Sequence, residues 1–321
     1  LHSKTTFAEQ VRLQEELLQE VFGIKPTTFC NTEMIYSDEI GEWLAEMGYK
    51  IVLTEGAKHI LAWKDPGYLY CNPFQTDLKL MLRSYALCDD ITLRFNDKSW
   101  DQYPLTAEKY LGFLKSVPAE VPHINFAFDY ETIGEYYTQE TGIFDFFRSL
   151  FAHFAEMEEY QMITPNTMID STEKYTTLNI PWAISGMGEE KDTEDWVGNE
   201  LQQEAFDQLF KLEPLYLESR NETAKLNWLR LQAADHFNFM STKWLNKKSV
   251  KRNFDVYPSP YQAFINYMNV LSDFLQLVDE QYPSSIDNEE LNSLLRTIAN
   301  QEEEINRLKQ QLSKTKKTKT K

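Results

Sequence analysis

The stretch His123-Ile-Asn-Phe-Ala-Phe-Asp-Tyr-Glu-Thr-Ile-Gly134 is a run of β-forming residues that delivers two acids, Asp129 and Glu131, just before a glycine-containing turn. Side chains alternate along a strand, so Asp129 and Glu131 are expected on one face and Tyr130 on the other. The C-terminal end of a strand in an α/β protein is where ligands are usually met. The same grammar occurs earlier: in Thr28-Phe-Cys-Asn-Thr-Glu-Met-Ile-Tyr36 the polar Asn31, Thr32 and Glu33 interrupt an apolar, strand-like pattern. Two separate strands therefore each present a carboxylate.

Such a pair can serve as acid and nucleophile on a glycosidic bond when its two environments push the pKa values apart. Helix caps or plain surface acids would leave the same letters, and spacing alone does not separate these readings. The motifs themselves carry a resemblance. Asn31-Thr-Glu-Met-Ile-Tyr-Ser-Asp-Glu-Ile40 with Gly48-Tyr-Lys-Ile-Val-Leu-Thr-Glu-Gly56 resembles the third conserved region of glycoside hydrolase family 57, in its α-amylase branch. Phe128-Asp-Tyr-Glu-Thr-Ile-Gly134 resembles the fourth region, and Asp195-Trp-Val-Gly-Asn-Glu-Leu-Gln-Gln-Glu-Ala-Phe206 the fifth. The resemblance covers roughly residues 1 to 282 and implies that the first two regions lie upstream of Leu1. It also implies that Glu33 is the nucleophile and Asp129 the acid/base of a retaining enzyme acting on α-1,4-glucans. An aromatic such as Tyr130 between Asp129 and Glu131 resembles the hydrolytic members, where 4-α-glucanotransferases tend to carry glycine.

The chain has 321 residues with 42% hydrophobic content, enough for a large core, and 50 acidic against 32 basic residues give a net charge of −18. Phosphates would be repelled, so nucleic acid is not expected as a partner, whereas a neutral polymer such as an α-glucan is compatible. Cys30, Cys71 and Cys88 are too few and badly spaced for a disulfide framework or a zinc site and read as buried thiols in a reducing, cytoplasmic compartment. The histidines at 2, 59, 123, 153 and 236 form no HxxxH pair, which disfavours a metal-dependent deacetylase or mannosidase, and neither a metal nor another cofactor is expected. No stretch is long and apolar enough to cross a membrane.

Taken in order, the pattern predicts an amphipathic helix over 5–22 with Thr5 or Thr6 as cap, a helix over 38–47 and a buried strand over 50–54. This strand–helix–strand spacing is a βαβ unit and predicts a parallel sheet. Further strands are expected at 68–71, 90–95 and 162–171, a short helix within 78–87, and helices over 107–114 and 143–158. His59 is read as packing or sugar-binding, and Arg94 as the partner of a catalytic carboxylate or of a structural acid. Residues 175–194 read as a long loop over the site. Tyr130, Trp182 and Trp196 are expected either to stack on sugar faces or to be buried. Asp235 and His236 are read as sugar ligands at the barrel mouth, with a capped turn and a buried histidine as the alternative. The expected fold class is α/β: an incomplete seven-stranded parallel β/α barrel over 1–194, an α-helical bundle over 195–282 completing the site, and a coiled coil with a Lys-rich tail over 283–321. Leu291, Leu294, Ile298, Gln301, Ile305, Leu308 and Leu312 set the heptad seam, through which homo-oligomers are expected; a solvated, fraying helix is the alternative. A glucan-binding or assembly protein without catalysis is the rival from another class.

Overall fold

The computed structural model describes residues 2–171, 176–188, 190–219, 221–243 and 256–279. The expected linker, coiled coil and tail beyond 279 lie outside the described residues. The chain divides into two compact units, one spanning Ser3–Thr193 and the other beginning at Glu194.

The first unit opens with α1 (Lys4–Phe22), capped by Ser3 rather than by Thr5 or Thr6 and ended by Gly23 in the left-handed conformation. There follow β1 (Thr28–Cys30), α2 (Asp38–Glu46), β2 (Ile51–Glu55), α3 (Lys58–Leu61), β3 (Tyr70–Cys71), β4 (Lys79–Arg83), α4 (Tyr85–Thr92), α5 (Ala107–Lys115), α6 (Ile143–Glu156) and β5 (Thr176–Thr177). One sheet has the order β1-β2-β4-β3-β5. β1, β2 and β4 run parallel, β3 is antiparallel to β4, and β5 is parallel to β3. The βαβ unit expected from the motif spacing is therefore β1–α2–β2.

Alternation along β2 and β4 sorts their side chains into two layers. Val52, Leu80 and Leu82 pack with Phe7, Val11, Ile40 and Leu44 from α1 and α2. Ile51, Leu53 and Met81 meet Met168 and Ile169 on the opposite side. A further core joins Ile91, Phe95, Tyr110, Leu111, Phe146 and Leu150 from α4, α5 and α6 and the loop after α4. On α6, Phe146 and Leu150 are buried by this packing, while Phe144 and Phe151 stay exposed.

Several expected elements are replaced. The helix sought within 78–87 is the strand β4 followed by the start of α4, and the strand sought at 90–95 lies in and just after α4. Residues 162–171 hold a 3₁₀ turn, Pro165–Met168, instead of a strand. Lys79 holds that turn: buried in β4, its Nζ donates to the carbonyls of Met168 (2.7 Å), Ile169 (2.6 Å) and Ser171 (3.2 Å).

The second unit is helical: α7 (Glu194–Val197), α8 (Glu200–Lys211), α9 (Glu213–Glu218), α10 (Glu222–Leu231), α11 (Ala234–Phe239) and α12 (Pro260–Asp279). α12 packs on α8, α10 and α11. No described helix is long and apolar enough to cross a membrane.

Candidate active site

Glu33 lies where the chain leaves β1 at its C-terminal end, and Asp129 ends a segment bound to β4. After Cys30 the backbone breaks out of β1 into a 3₁₀ turn, Thr32–Met34, whose cap Asn31 accepts from the Thr32 N–H. Glu33 sits in this turn at φ 52°, a left-handed conformation that costs an ordinary L-residue free energy and persists only when neighbours hold it. Two hydrogen bonds do so: the Gly186 N–H donates to the Glu33 carbonyl (2.7 Å), and Thr54 Oγ1 donates to the Met34 carbonyl (3.0 Å). A Cβ on Gly186 would stand 3.3 Å from that Glu33 carbonyl oxygen, so glycine permits the approach.

Residues 123–129 were expected as a strand. They run without ladder pairing and are tied to β4 mainly by side chains instead. Asn125 Nδ2 donates to the Leu82 carbonyl (2.9 Å), the Ser84 N–H to the Asn125 carbonyl (2.9 Å), and Arg83 Nε to the Ala127 carbonyl (3.1 Å). Asp129 then precedes a 3₁₀ turn, Tyr130–Thr132, so the expected alternation of Asp129 and Glu131 along a strand is lost. The two acids nevertheless stay electrostatically close, for Glu131 raises the Asp129 pKa.

Asp129 is pushed above the ordinary carboxylate range first by desolvation and then by Glu131, against the opposing pull of Arg83. Asp129 is nonetheless exposed to solvent. Cys30 at the end of β1 is raised in the same way, by its surroundings and by Asp129. It is exposed, which corrects the expectation of three buried thiols; Cys71 and Cys88 are buried. Tyr136 was missed by the sequence reading. Half exposed on the turn after Gly134, its hydroxyl is raised by desolvation and then by Glu131, Asp129, Glu33 and Glu135. Only its place shortly after the Asp129 motif could have pointed to it.

The loop expected over the site lies on the β1 side of it. Tyr36 and Ile184 exchange backbone hydrogen bonds (3.1 and 2.9 Å), and Asp38 Oδ2 accepts from the Ile180 N–H (2.8 Å) and Asn179 Nδ2 (2.6 Å). This loop presents Trp182 at 78% exposure, and Tyr130 beside Asp129 is 99% exposed. His59 is exposed in α3. Arg94 pairs with Asp90 at 2.5 Å, the structural alternative, and the arginine whose charge acts on Asp129 is Arg83.

The remaining predicted residues belong to the second unit. Trp196 is 7% exposed, so burial and not an open stacking face is what the structure gives it. In the same motif Asn199 caps α8 in a capping box with Gln202, and Gln202 Nε2 donates to the carbonyls of Asp195 (2.7 Å) and Phe237 (2.9 Å). Asp235 is exposed at the start of α11; the His236 ring packs on Tyr267, with Nε2 3.2 Å from the Arg230 carbonyl. Among the described residues no group of three His, Cys, Asp or Glu side chains is arranged to hold a metal.

With this geometry in view, residues 1–181 match the model of glycosyl hydrolase family 57. The chain belongs to glycosyl hydrolase family 57. A Methanocaldococcus jannaschii protein named "Putative alpha-amylase" is 36% identical over 288 residues, spanning 85% of this chain and 60% of that protein. The fold is similar to an α-amylase of Thermotoga maritima (TM-score 0.55, 15% identity, 90% of this chain and 66% of that one). It is similar too to a family 57-type branching enzyme of Pyrococcus horikoshii (TM-score 0.57, 13% identity, 89% and 64%). The chain thus spans 60–66% of the length of these three relatives.

Proposed function

We propose that this family 57 chain carries the catalytic carboxylates of a retaining, α-amylase-like glycoside hydrolase acting on α-1,4-glucans. The observation that carries the reading is that Glu33, in the turn after β1, and Asp129, at the end of the segment bound to β4, both act electrostatically on Tyr136 and raise its pKa. Glu33 attacks the anomeric carbon as the C1–O bond breaks, and protonated Asp129 gives its proton to the departing oxygen. Asp129 then takes a proton from water as the water oxygen displaces Glu33 from C1, restoring both groups. For this the two carboxyl groups come within about 5–5.5 Å of each other in the working site. The raised Asp129 pKa supports the acid role. Tyr130, Glu131 and Trp182 are assigned to sugar binding, the two rings as stacking faces.

The parallel strands are read as part of the seven-stranded β/α barrel that the resemblance implies, and the heptad seam beyond 287 as an oligomerising coil, in a cytoplasmic enzyme. The experiment is reducing-sugar release from soluble starch and maltoheptaose by the full-length protein beside Glu33→Gln and Asp129→Asn. Loss of turnover in both variants, with the α-anomer formed first by the wild type, is expected. Disproportionated maltooligosaccharides in place of net hydrolysis would assign a 4-α-glucanotransferase, and saturable glucan binding without turnover would assign a binding protein.

A further inference from the structure

Glu55, at the end of β2, is fully buried, and its neighbours lead to both candidate carboxylates. One oxygen, Oε1, accepts from the Gly56 N–H (2.8 Å). The other, Oε2, lies 3.1 Å from Arg83 Nη1 and 3.3 Å from Lys191 Nζ. Arg83 is the register partner of Glu55 on the adjacent parallel strand, so both side chains leave the sheet on the same side. Its other nitrogens reach Asp89 (2.7 Å) and the Ala127 carbonyl (3.1 Å), two residues before Asp129. Lys191 sits in the 178–192 loop at φ 56° and also donates to the Gly186 carbonyl (2.7 Å), while the Gly186 N–H holds the Glu33 carbonyl.

We infer that Glu55 is a positioning residue that fixes Glu33, through Lys191 and Gly186, and Asp129, through Arg83 and Ala127, with one buried carboxylate as their common anchor. This rests on the assignment of Glu33 and Asp129 made above. A buried carboxylate flanked by two cations is worth little as net stability, because desolvation offsets much of the attraction. What such a cluster supplies is direction: each cation spends one donor on Glu55 and another on a backbone carbonyl near the site. The groups acting on Glu55 are Arg83 from β4 and Lys191 from the loop, with Cys88 of α4 in electrostatic reach, while Asp89 of α4 pairs with Arg83. Those facing Asp129 are Arg83, Glu131, Cys30 and Tyr136.

The test compares Glu55→Gln, Lys191→Met and Lys191→Arg in the full-length protein, with Glu33→Gln and Asp129→Asn as anchors. Glu55→Gln is expected to lower kcat on maltoheptaose about 100-fold at nearly constant KM, since loss of alignment falls on the chemical step. It also leaves the Arg83 charge uncompensated, so the alkaline limb of kcat/KM moves to lower pH. Lys191→Met removes a cation and moves that limb the other way, and Lys191→Arg restores kcat. A general loss of stability would not give opposite shifts. The carboxyl carbons of Glu33 and Asp129, followed by 13C NMR, need no turnover, and both are expected to move in Glu55→Gln and in Lys191→Met. Unmoved resonances, or a kcat that merely follows Tm, would overturn the positioning role. Activity retained in the Glu33 and Asp129 variants would instead overturn the catalytic assignment, leaving the resonances to decide the anchor by themselves. Should Glu55→Gln not fold, Lys191→Met decides by the same criteria.

Discussion

A carboxylate that donates a proton near neutral pH must be shifted upward, and two causes act on Asp129 in that direction. Desolvation is the larger, and the charge of Glu131 adds to it. Glu131 can be removed without touching the first cause. On the proposed acid/base role of Asp129, Glu131→Gln is therefore expected to lower the Asp129 pKa and move the alkaline limb of kcat/KM to lower pH, with the acid limb unchanged. A pH profile of maltoheptaose hydrolysis checks it, and an unmoved alkaline limb would disconnect Glu131 from the acid. At this scale the sequence was informative because acids at chain exits are written in the letters. It was blind to Tyr136, Arg83 and Lys191, whose relevance depends on which distant atoms they meet.

Elements were legible where periodicity was long and illegible where it was short. α1, α2, α5 and α6 were readable because each repeats an apolar face over two turns or more. β4 was not: Lys79-Leu-Met-Leu-Arg83 is five residues with charges at both ends, and a short apolar run does not distinguish strand from helix. Those charges are the informative part once the fold is known, since both are buried and both reach carbonyls of neighbouring chain. Lys79→Met keeps the stem and removes the ammonium, leaving the carbonyls of Met168, Ile169 and Ser171 to find other donors. The expected cost is about 2–4 kcal/mol in urea unfolding. A cost under about 0.5 kcal/mol, within the range of ordinary surface substitutions, would show that those carbonyls are readily satisfied elsewhere. At the same scale, Gly41 in α2 faces the buried pair Tyr36 and Asn72. An added Cβ would fall 2.2 Å from the tyrosine Oη and 2.4 Å from Asn72 Nδ2. Gly41→Ala is expected to destabilise by about 1–3 kcal/mol in the same measurement, although alanine is the better helix former.

For the whole molecule the governing quantity is its excess of acid. A net charge of −18 spread over 321 residues repels itself, and folding concentrates it. Asp38, Asp90 and Asp129 all have folded-state pKa values raised chiefly by desolvation. For a raised carboxylate the sign is fixed: its contribution to stability is complete below the unfolded pKa of about 3.9 and is lost as pH rises through the higher folded value. Asp97 and Glu108 are shifted the opposite way by hydrogen bonds, but both are fully solvated and their effect is small. Lowering the pH from neutrality toward the raised folded-state values of these three carboxylates therefore relieves repulsion and favours the folded state together. Tm is expected to rise over that interval, and at pH 7 to rise again as salt is increased to a few hundred millimolar, because screening substitutes for protonation. Differential scanning calorimetry at matched ionic strength separates the two effects. A Tm that falls steadily on acidification from neutrality would mean that carboxylates stabilised by their partners outweigh the raised ones, and that buried ion pairs rather than net charge set the stability of this protein.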